Sequence, residues 1–158
     1  MRHDTIGLKS RRAALRGAFF GTLLSALAFA QSAAIQSQDA NISGIVAEVT
    51  ECKRADGVLS VRMRLRNTSA AEVTVYLIDK NNYDSYYVTA ASKKYFVLRD
   101  TENKPLAPQA DGGGVSVTIA KGGQYVWWSK YPAPPNDVKK VGYFTPITPP
   151  FDNVPITD

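Results

Sequence analysis

Few of the side chains that carry out enzyme chemistry occur in this chain of 158 residues. Histidine and cysteine occur once each, as His3 and Cys52. His3 lies in the first thirty residues, which we predict below to be a cleaved signal peptide, so the mature domain has no histidine for a nucleophilic triad or for a zinc site built from Cys and His. The acids still allow a pair of carboxylates acting on a glycosidic bond. We therefore predict a protein that is not an enzyme and has no cofactor, with a carboxylate-pair hydrolase as an alternative.

Aromatic side chains are the strongest binding candidates in the sequence. Trp127 and Trp128 are adjacent, so in a strand they must point to opposite faces. One of them can lie in a core while the other faces solvent, where tryptophan and tyrosine dominate protein interfaces. The pattern predicts a surface that binds a protein partner or, alternatively, a sugar ring. The candidate residues form two groups along the chain: Tyr83, Tyr86, Tyr125, Trp127, Trp128 and Tyr131.

Three arginines at alternating positions form the second candidate. Arg62, Arg64 and Arg66 share one face of a predicted strand. A charged outward face is normal for an antiparallel sheet, and we prefer this interpretation to an anion-binding patch. Like charges at this spacing repel, so facing acids are expected, and Glu48, Glu72 and Asp79 are the candidates.

A metal site is the third candidate. Asp79, Asn81 and Asp84 lie in one oxygen-rich loop, and calcium takes six to eight oxygen ligands. However, Lys80 interrupts the loop and no glutamate closes it. Asn and Asp are also common turn formers, so we favour a plain turn between two strands and predict no metal.

The first thirty residues have the organisation of a secretory signal. Basic residues precede an apolar run of 13 residues that ends at Ala28-Phe29-Ala30. That run is shorter than the about 20 residues that a membrane-spanning helix needs. The segment around Arg11-Arg12 resembles the twin-arginine export motif, except that Ala14 occupies a position where a large apolar residue is usual. We predict a signal peptide over residues 1–30, by either export route, and a periplasmic or secreted product without a membrane span.

Removal of the signal changes the charge balance. The chain has 19 basic and 14 acidic residues, but residues 31–158 contain 14 and 13. Nucleic-acid binding requires a basic surface that neutralises phosphates, so this balance argues against a nucleic-acid partner.

The elements that must position the candidate side chains are strands. In residues 59–66, Leu59, Val61, Met63 and Leu65 alternate with Ser60 and the three arginines, which is typical of a half-buried strand. Seven to eight such segments, separated by turn residues, predict an antiparallel β-sandwich over residues 41–145, with a small closed barrel as the second choice. Residues 31–40 are predicted to be a flexible leader. Prolines and spaced apolar residues predict that residues 146–158 form an extended strap on the sandwich.

The strand pattern resembles a known class of domain. The arginine-bearing strand followed by Asn67-Thr68-Ser69, and the later strand ending in Tyr131-Pro132, look like small immunoglobulin-like domains of bacterial envelope proteins. The resemblance covers residues 41–144 and carries over no site residues. It implies an immunoglobulin-like sandwich that acts as a binding or accessory module, and the expected partner is an envelope protein, with a glycan as the alternative.

Overall fold

The computed structural model describes residues 32–158, which form an all-β structure. All ten strands pair antiparallel with their neighbours, and no α-helix occurs in this range. The strands are β1 (Gln36–Asp39), β2 (Ile45–Ala55), β3 (Val58–Asn67), β4 (Val73–Ile78), β5 (Tyr87–Ala90), β6 (Lys93–Phe96), β7 (Val115–Ile119), β8 (Gln124–Pro132), β9 (Lys140–Phe144) and β10 (Phe151–Pro155). Two short 3-10 turns, Tyr83–Ser85 and Asp111–Gly113, connect some of them.

The first sheet has the order β1-β2-β3-β8. Its centre is a long hairpin whose two turn residues, Asp56 and Gly57, have φ values of 50° and 75°. Such a turn matches the right-handed twist of the flanking strands, and an Asp-Gly pair adopts it readily. The strand β3 then pairs along its whole length with β8.

Six further strands form two more sheets, one of four strands and one of two. The second sheet has the order β10-β9-β5-β6, and the third consists of β4 and β7. Pairing within the third sheet slips between Tyr76 and Ile78, and pairing of β10 slips between Phe151 and Val154. Such bulges bend a strand and redirect its side chains.

One face of each sheet contributes to a common hydrophobic core, and we call the opposite face the outer face. The predicted alternation in β3 is confirmed, since Leu59, Val61, Met63 and Leu65 are all at most 1% exposed. The largest buried side chains are aromatic: Trp127 and Tyr131 of the first sheet, Tyr143 and Phe151 of the second, and Tyr86, which directly precedes β5. Burial of side chains of this size is the main stabilising contribution to such a core.

The strand count exceeds the prediction because both termini of the domain are strands. Residues 36–39, expected within a flexible leader, form β1 and pair with residues 46–49 of β2. Residues 151–155, expected in a strap, form β10 at the edge of the second sheet. Within residues 146–158, the side chains of Ile147, Phe151 and Val154 are buried. The predicted signal peptide, residues 1–30, lies outside the described residues.

Candidate functional site

The two adjacent tryptophans of β8 have opposite environments. Trp127 is fully buried and stacks on Tyr86, with ring centroids 4.5 Å apart. Trp128 is 39% exposed on the outer face of the first sheet. The alternation of a strand requires this division, and the structure shows which ring takes which side.

Four of the six predicted aromatic binding residues belong to the core, which corrects their assignment to a binding surface. Tyr131 and Tyr86 are fully buried like Trp127, and Tyr83 is 3% exposed. Tyr86 donates a hydrogen bond to the carbonyl of Leu77 at 2.9 Å, and burial raises its pKa above the ordinary value. Tyr125 is half-buried at the edge of the core, and burial also raises its pKa. A ligand at the surface therefore meets Trp128 and none of these four.

An exposed apolar pair marks the outer face of the first sheet. Val126 is 43% exposed, and lies two residues before Trp128 on the same side of β8. The neighbouring strand β3 places Arg62 directly opposite Trp128 and Arg64 opposite Val126. Lys130 follows on the same face. We call Val126, Trp128, Arg62 and Lys130 the Trp128 face.

The arginine ladder is only partly a solvated surface. Arg64 and Arg66 both bind Glu48, with contacts of 2.6 and 2.9 Å to its two carboxylate oxygens. The side chains of Glu48 and Arg64 are 8% and 11% exposed, so the expectation of an open charged face is wrong for these two. Arg62 remains 59% exposed and lies 3.5 Å from Glu51.

The Glu48 carboxylate is held in its ionised form. Burial by itself raises the pKa of a carboxyl group. The hydrogen bonds and positive charges of Arg64 and Arg66 outweigh burial, and the pKa of Glu48 is lowered from 4.5. Because one carboxylate serves two guanidinium groups, the cluster keeps an excess positive charge. An incoming anion would have to compete with Glu48 for Arg64, but not for Arg62.

A fourth arginine, which the sequence analysis missed, fixes the chain end. Arg54 is buried and pairs with Asp158 at 2.7 Å, and this contact lowers the pKa of the Asp158 carboxyl. It also donates to the carbonyls of Pro134, Pro135 and Val138 in the loop before β9. A cleft of about 490 Å³ lies beside it. Its donors are occupied by protein acceptors, so its role in this structure is structural.

The oxygen-rich loop is a tight turn. Asn82 donates its backbone N–H to the carbonyl of Asp79 at 2.9 Å, and Lys80 and Asn81 have positive φ values of 48° and 59°. Asp84 lies in the 3-10 turn that follows. In the part of the chain that is described, no three His, Cys, Asp or Glu side chains come close enough to hold a metal ion. The structure thus places Asp79 and Asn81 within a hydrogen-bonded turn between β4 and β5.

A row of three aromatic rings crosses the outer face of the second sheet. Tyr87 lies opposite Phe96 on one side and Phe144 on the other. The rings of Tyr87 and Phe144 stack with centroids 4.7 Å apart, and Lys94 Nζ lies 4.2 Å from the Tyr87 centroid. The three rings come from β5, β6 and β9, and only the register between these strands brings them together. No local sequence pattern therefore indicated the row.

The remaining candidates for chemistry are buried. Cys52 is 1% exposed, and burial raises the pKa of its thiol to about 12, which makes it a poor nucleophile at neutral pH. Trp127 Nε1 and Tyr143 Oη are buried polar atoms for which residues 32–158 provide no hydrogen-bond partner. Both atoms lie in the core, away from any surface that a ligand reaches.

Comparison with known proteins gives no information on the function of this site. No family model, no curated protein and no solved structure matches the chain. The described residues also contain no helix of the length and apolar character needed to cross a membrane.

Proposed function

We propose that this protein is an exported, non-catalytic binding module of the cell envelope that engages a protein partner through the Trp128 face. The proposed location rests on the signal-like pattern of residues 1–30. The proposed immunoglobulin-like sandwich is supported by antiparallel sheets that share one aromatic core. Domains of that class act mostly as binding or scaffolding units.

The exposed Trp128 is the observation that carries the proposal. Burying a large aromatic ring is favourable, and a ring left exposed beside another apolar side chain is a typical docking feature. Tryptophan and arginine are also the residues most enriched among interface positions that dominate affinity. Trp128 and Arg62 are paired neighbours on this face, and both are substantially exposed.

A sugar platform is less well supported than a protein interface. The predicted platform used several tyrosines and tryptophans, and most of these are buried in the core. On the second sheet, the rings of Tyr87 and Phe144 stack on each other, so the stacked faces are not free to contact a sugar ring. A protein partner can use the single ring of Trp128 together with the charged side chains that surround it.

Affinity co-purification from the native envelope fraction, after mild cross-linking, tests the proposal. Trp128→Ala is expected to lower recovery of a stoichiometric protein partner by at least about tenfold. Tyr76→Ala is the matched control, because Tyr76 is 74% exposed on β4. It should leave recovery unchanged.

Two results would contradict the proposal. One is equal recovery of the partner by the Trp128→Ala variant and the unaltered protein. The other is equal loss with both substitutions, which would indicate a nonspecific apolar contact. Recovery of the protein without any partner, combined with a change in tryptophan fluorescence on adding a glycan, would replace it with the glycan hypothesis.

A further inference from the structure

The strand β8 has a free edge beside Trp128. Lys130 donates its backbone N–H to Leu106 and accepts a hydrogen bond from Leu98, both on the side away from β3. Backbone groups of alternate residues in an antiparallel strand point to the same side. The N–H and C=O groups of Val126 and Trp128 therefore point away from β3 as well.

No neighbouring strand uses these groups. Val126 and Trp128 are register partners of Arg64 and Arg62 in β3. No other segment of residues 32–158 forms a backbone hydrogen bond with either of them. The chain covers the edge of β8 at Lys130 and leaves it open over the two preceding outward-directed residues. Natural proteins usually protect such edges with charged side chains, proline or a bulge. Here the two side chains at the open edge are apolar and exposed.

The outer face beside the open edge has a net positive charge, because Arg62, Lys53 and Lys130 outnumber the one nearby acid, Glu51, which lies 3.5 Å from Arg62. Lys53 and Lys130 lie on the outer face, and neither forms an ion pair with a described acid. Neighbouring strands are about 4.8 Å apart, so a strand added to β8 would lie about two spacings from Arg62. That distance, about 10 Å, is longer than the Debye length of about 8 Å at physiological salt, whereas Lys130 on β8 itself lies only about one spacing from an added strand, so Lys130 contributes most of the attraction.

We infer that the open edge of β8 accepts an extended acidic segment of the protein partner as an additional strand. Backbone hydrogen bonds to Val126 and Trp128 would hold the segment, and its apolar side chains would pack on the Trp128 ring. Its acidic side chains would face Lys130 and Arg62. A second copy of this chain fits less well, because pairing β8 with itself would bring like charges together. This inference rests on the proposed function and specifies its partner.

Binding of designed peptides to the purified protein tests the inference. The probes are fluorescent peptides that alternate valine with glutamate, with lysine or with glutamine. A fourth probe is the acidic peptide with N-methyl groups on alternate backbone nitrogens, which prevents strand pairing. The acidic peptide should bind at least about tenfold tighter than the lysine and N-methyl peptides, and its affinity should fall as salt rises.

Variants of the protein locate the site. Val126→Pro removes an N–H that points away from β3, so the ladder with β3 stays intact and the edge is blocked. It should abolish binding of the acidic peptide, with a thermal melt as the check on folding. Arg62→Glu combined with Lys130→Glu should reverse the preference between acidic and basic peptides. The N-methyl peptide gives an independent answer if Val126→Pro does not fold.

The outcomes separate the inference from the proposed function. Equal affinities for the acidic and lysine peptides, undetectable binding of both included, overturn the inference. Undiminished binding of the N-methyl peptide also overturns it, because strand pairing is then not used. Dimerisation that is lost in Trp128→Ala overturns it in favour of a second copy. The proposed function itself fails on the co-purification results given above: equal recovery of the envelope partner by Trp128→Ala and the unaltered protein, or equal loss of the partner with Trp128→Ala and Tyr76→Ala.

Discussion

The outer faces of the two larger sheets both carry exposed aromatic side chains beside basic residues, but they use them differently. On the second sheet, Tyr87 stacks on Phe144, lies against Phe96 and is covered by Lys94. On the first sheet, Trp128 stacks on no other aromatic ring of the described range. Arg62 opposite it extends into solvent.

The difference shows that exposure of an aromatic ring is not enough to indicate a binding site. Cross-strand aromatic pairs stabilise a sheet, so the row on the second sheet has a sufficient structural role. The packing there is close, because a Cβ on Gly142 would lie 3.0 Å from the Phe144 ring. Trp128 has no aromatic stacking partner among residues 32–158, which is why the proposed function assigns binding to Trp128 and not to the aromatic row.

The largest expected effect distinguishes the two tryptophans of β8. Trp127→Ala should lower the free energy of unfolding by about 3–5 kcal/mol, because it leaves a large cavity in the core. Trp128→Ala should change it by less than about 1 kcal/mol. Urea denaturation followed by circular dichroism measures both. Trp127→Phe should cost less than Trp127→Ala, since it keeps a ring and removes an unpaired N–H. Equal losses for both alanine variants would contradict the assignment of Trp128 to a binding surface.

A smaller effect tests the charge cluster on the first sheet. The folded-state pKa of Glu48 is below its ordinary value of 4.5, so its ionised form stabilises the fold above that pH. This stabilisation is lost as the pH falls through the lowered pKa. Glu48→Gln should cost about 1–3 kcal/mol at neutral pH and show a weaker further loss in acid than the unaltered protein. Urea denaturation at neutral pH and below pH 4.5 measures this. Parallel pH profiles for the two proteins would show that Glu48 is not the linked group.

The smallest effect concerns the aromatic row of the second sheet. Phe144→Leu keeps an apolar side chain but removes the ring stack on Tyr87, and should cost about 0.5–1 kcal/mol of stability. Recovery of the envelope partner should not change. Thermal unfolding and co-purification check the two statements. A variant that melts normally but loses the partner would transfer the binding site from the first sheet to the second.

The sequence predicted the strands whose two faces differ in polarity. The alternation in β3 indicated its inner and outer residues correctly, and the adjacency of Trp127 and Trp128 required that they separate. Period-two spacing also places Tyr131 on the same side of β8 as Trp127, so the same pattern could have predicted that Tyr131 is buried. The strand β1 was missed, because Gln36-Ser37-Gln38-Asp39 has no apolar side. The strand β10 was missed for another reason: the prolines in residues 149–155 lack the backbone N–H that a paired strand needs, so they argued against a strand there.

The candidate surface depended on information that no single segment contains. The row of Phe96, Tyr87 and Phe144 follows from the register between three strands. The pairing of Glu48 with two arginines depends on the register of β2 against β3, although Glu48 was among the acids considered. Arg54 carried a usable signal, because it lies in phase with the buried Cys52 in β2 and a charge at an inward position needs partners.

The contacts of the last strand have a consequence for the order of folding. Val154 and Phe151 are part of the core, and Thr157 pairs with Cys52 and Arg54 in a strand more than a hundred residues earlier. A chain emerging from the ribosome cannot close its core until these residues have been made, and such non-local topologies fold slowly. Translation therefore delivers nearly the whole domain before the native state becomes accessible, which lengthens the period in which the nascent chain remains unfolded.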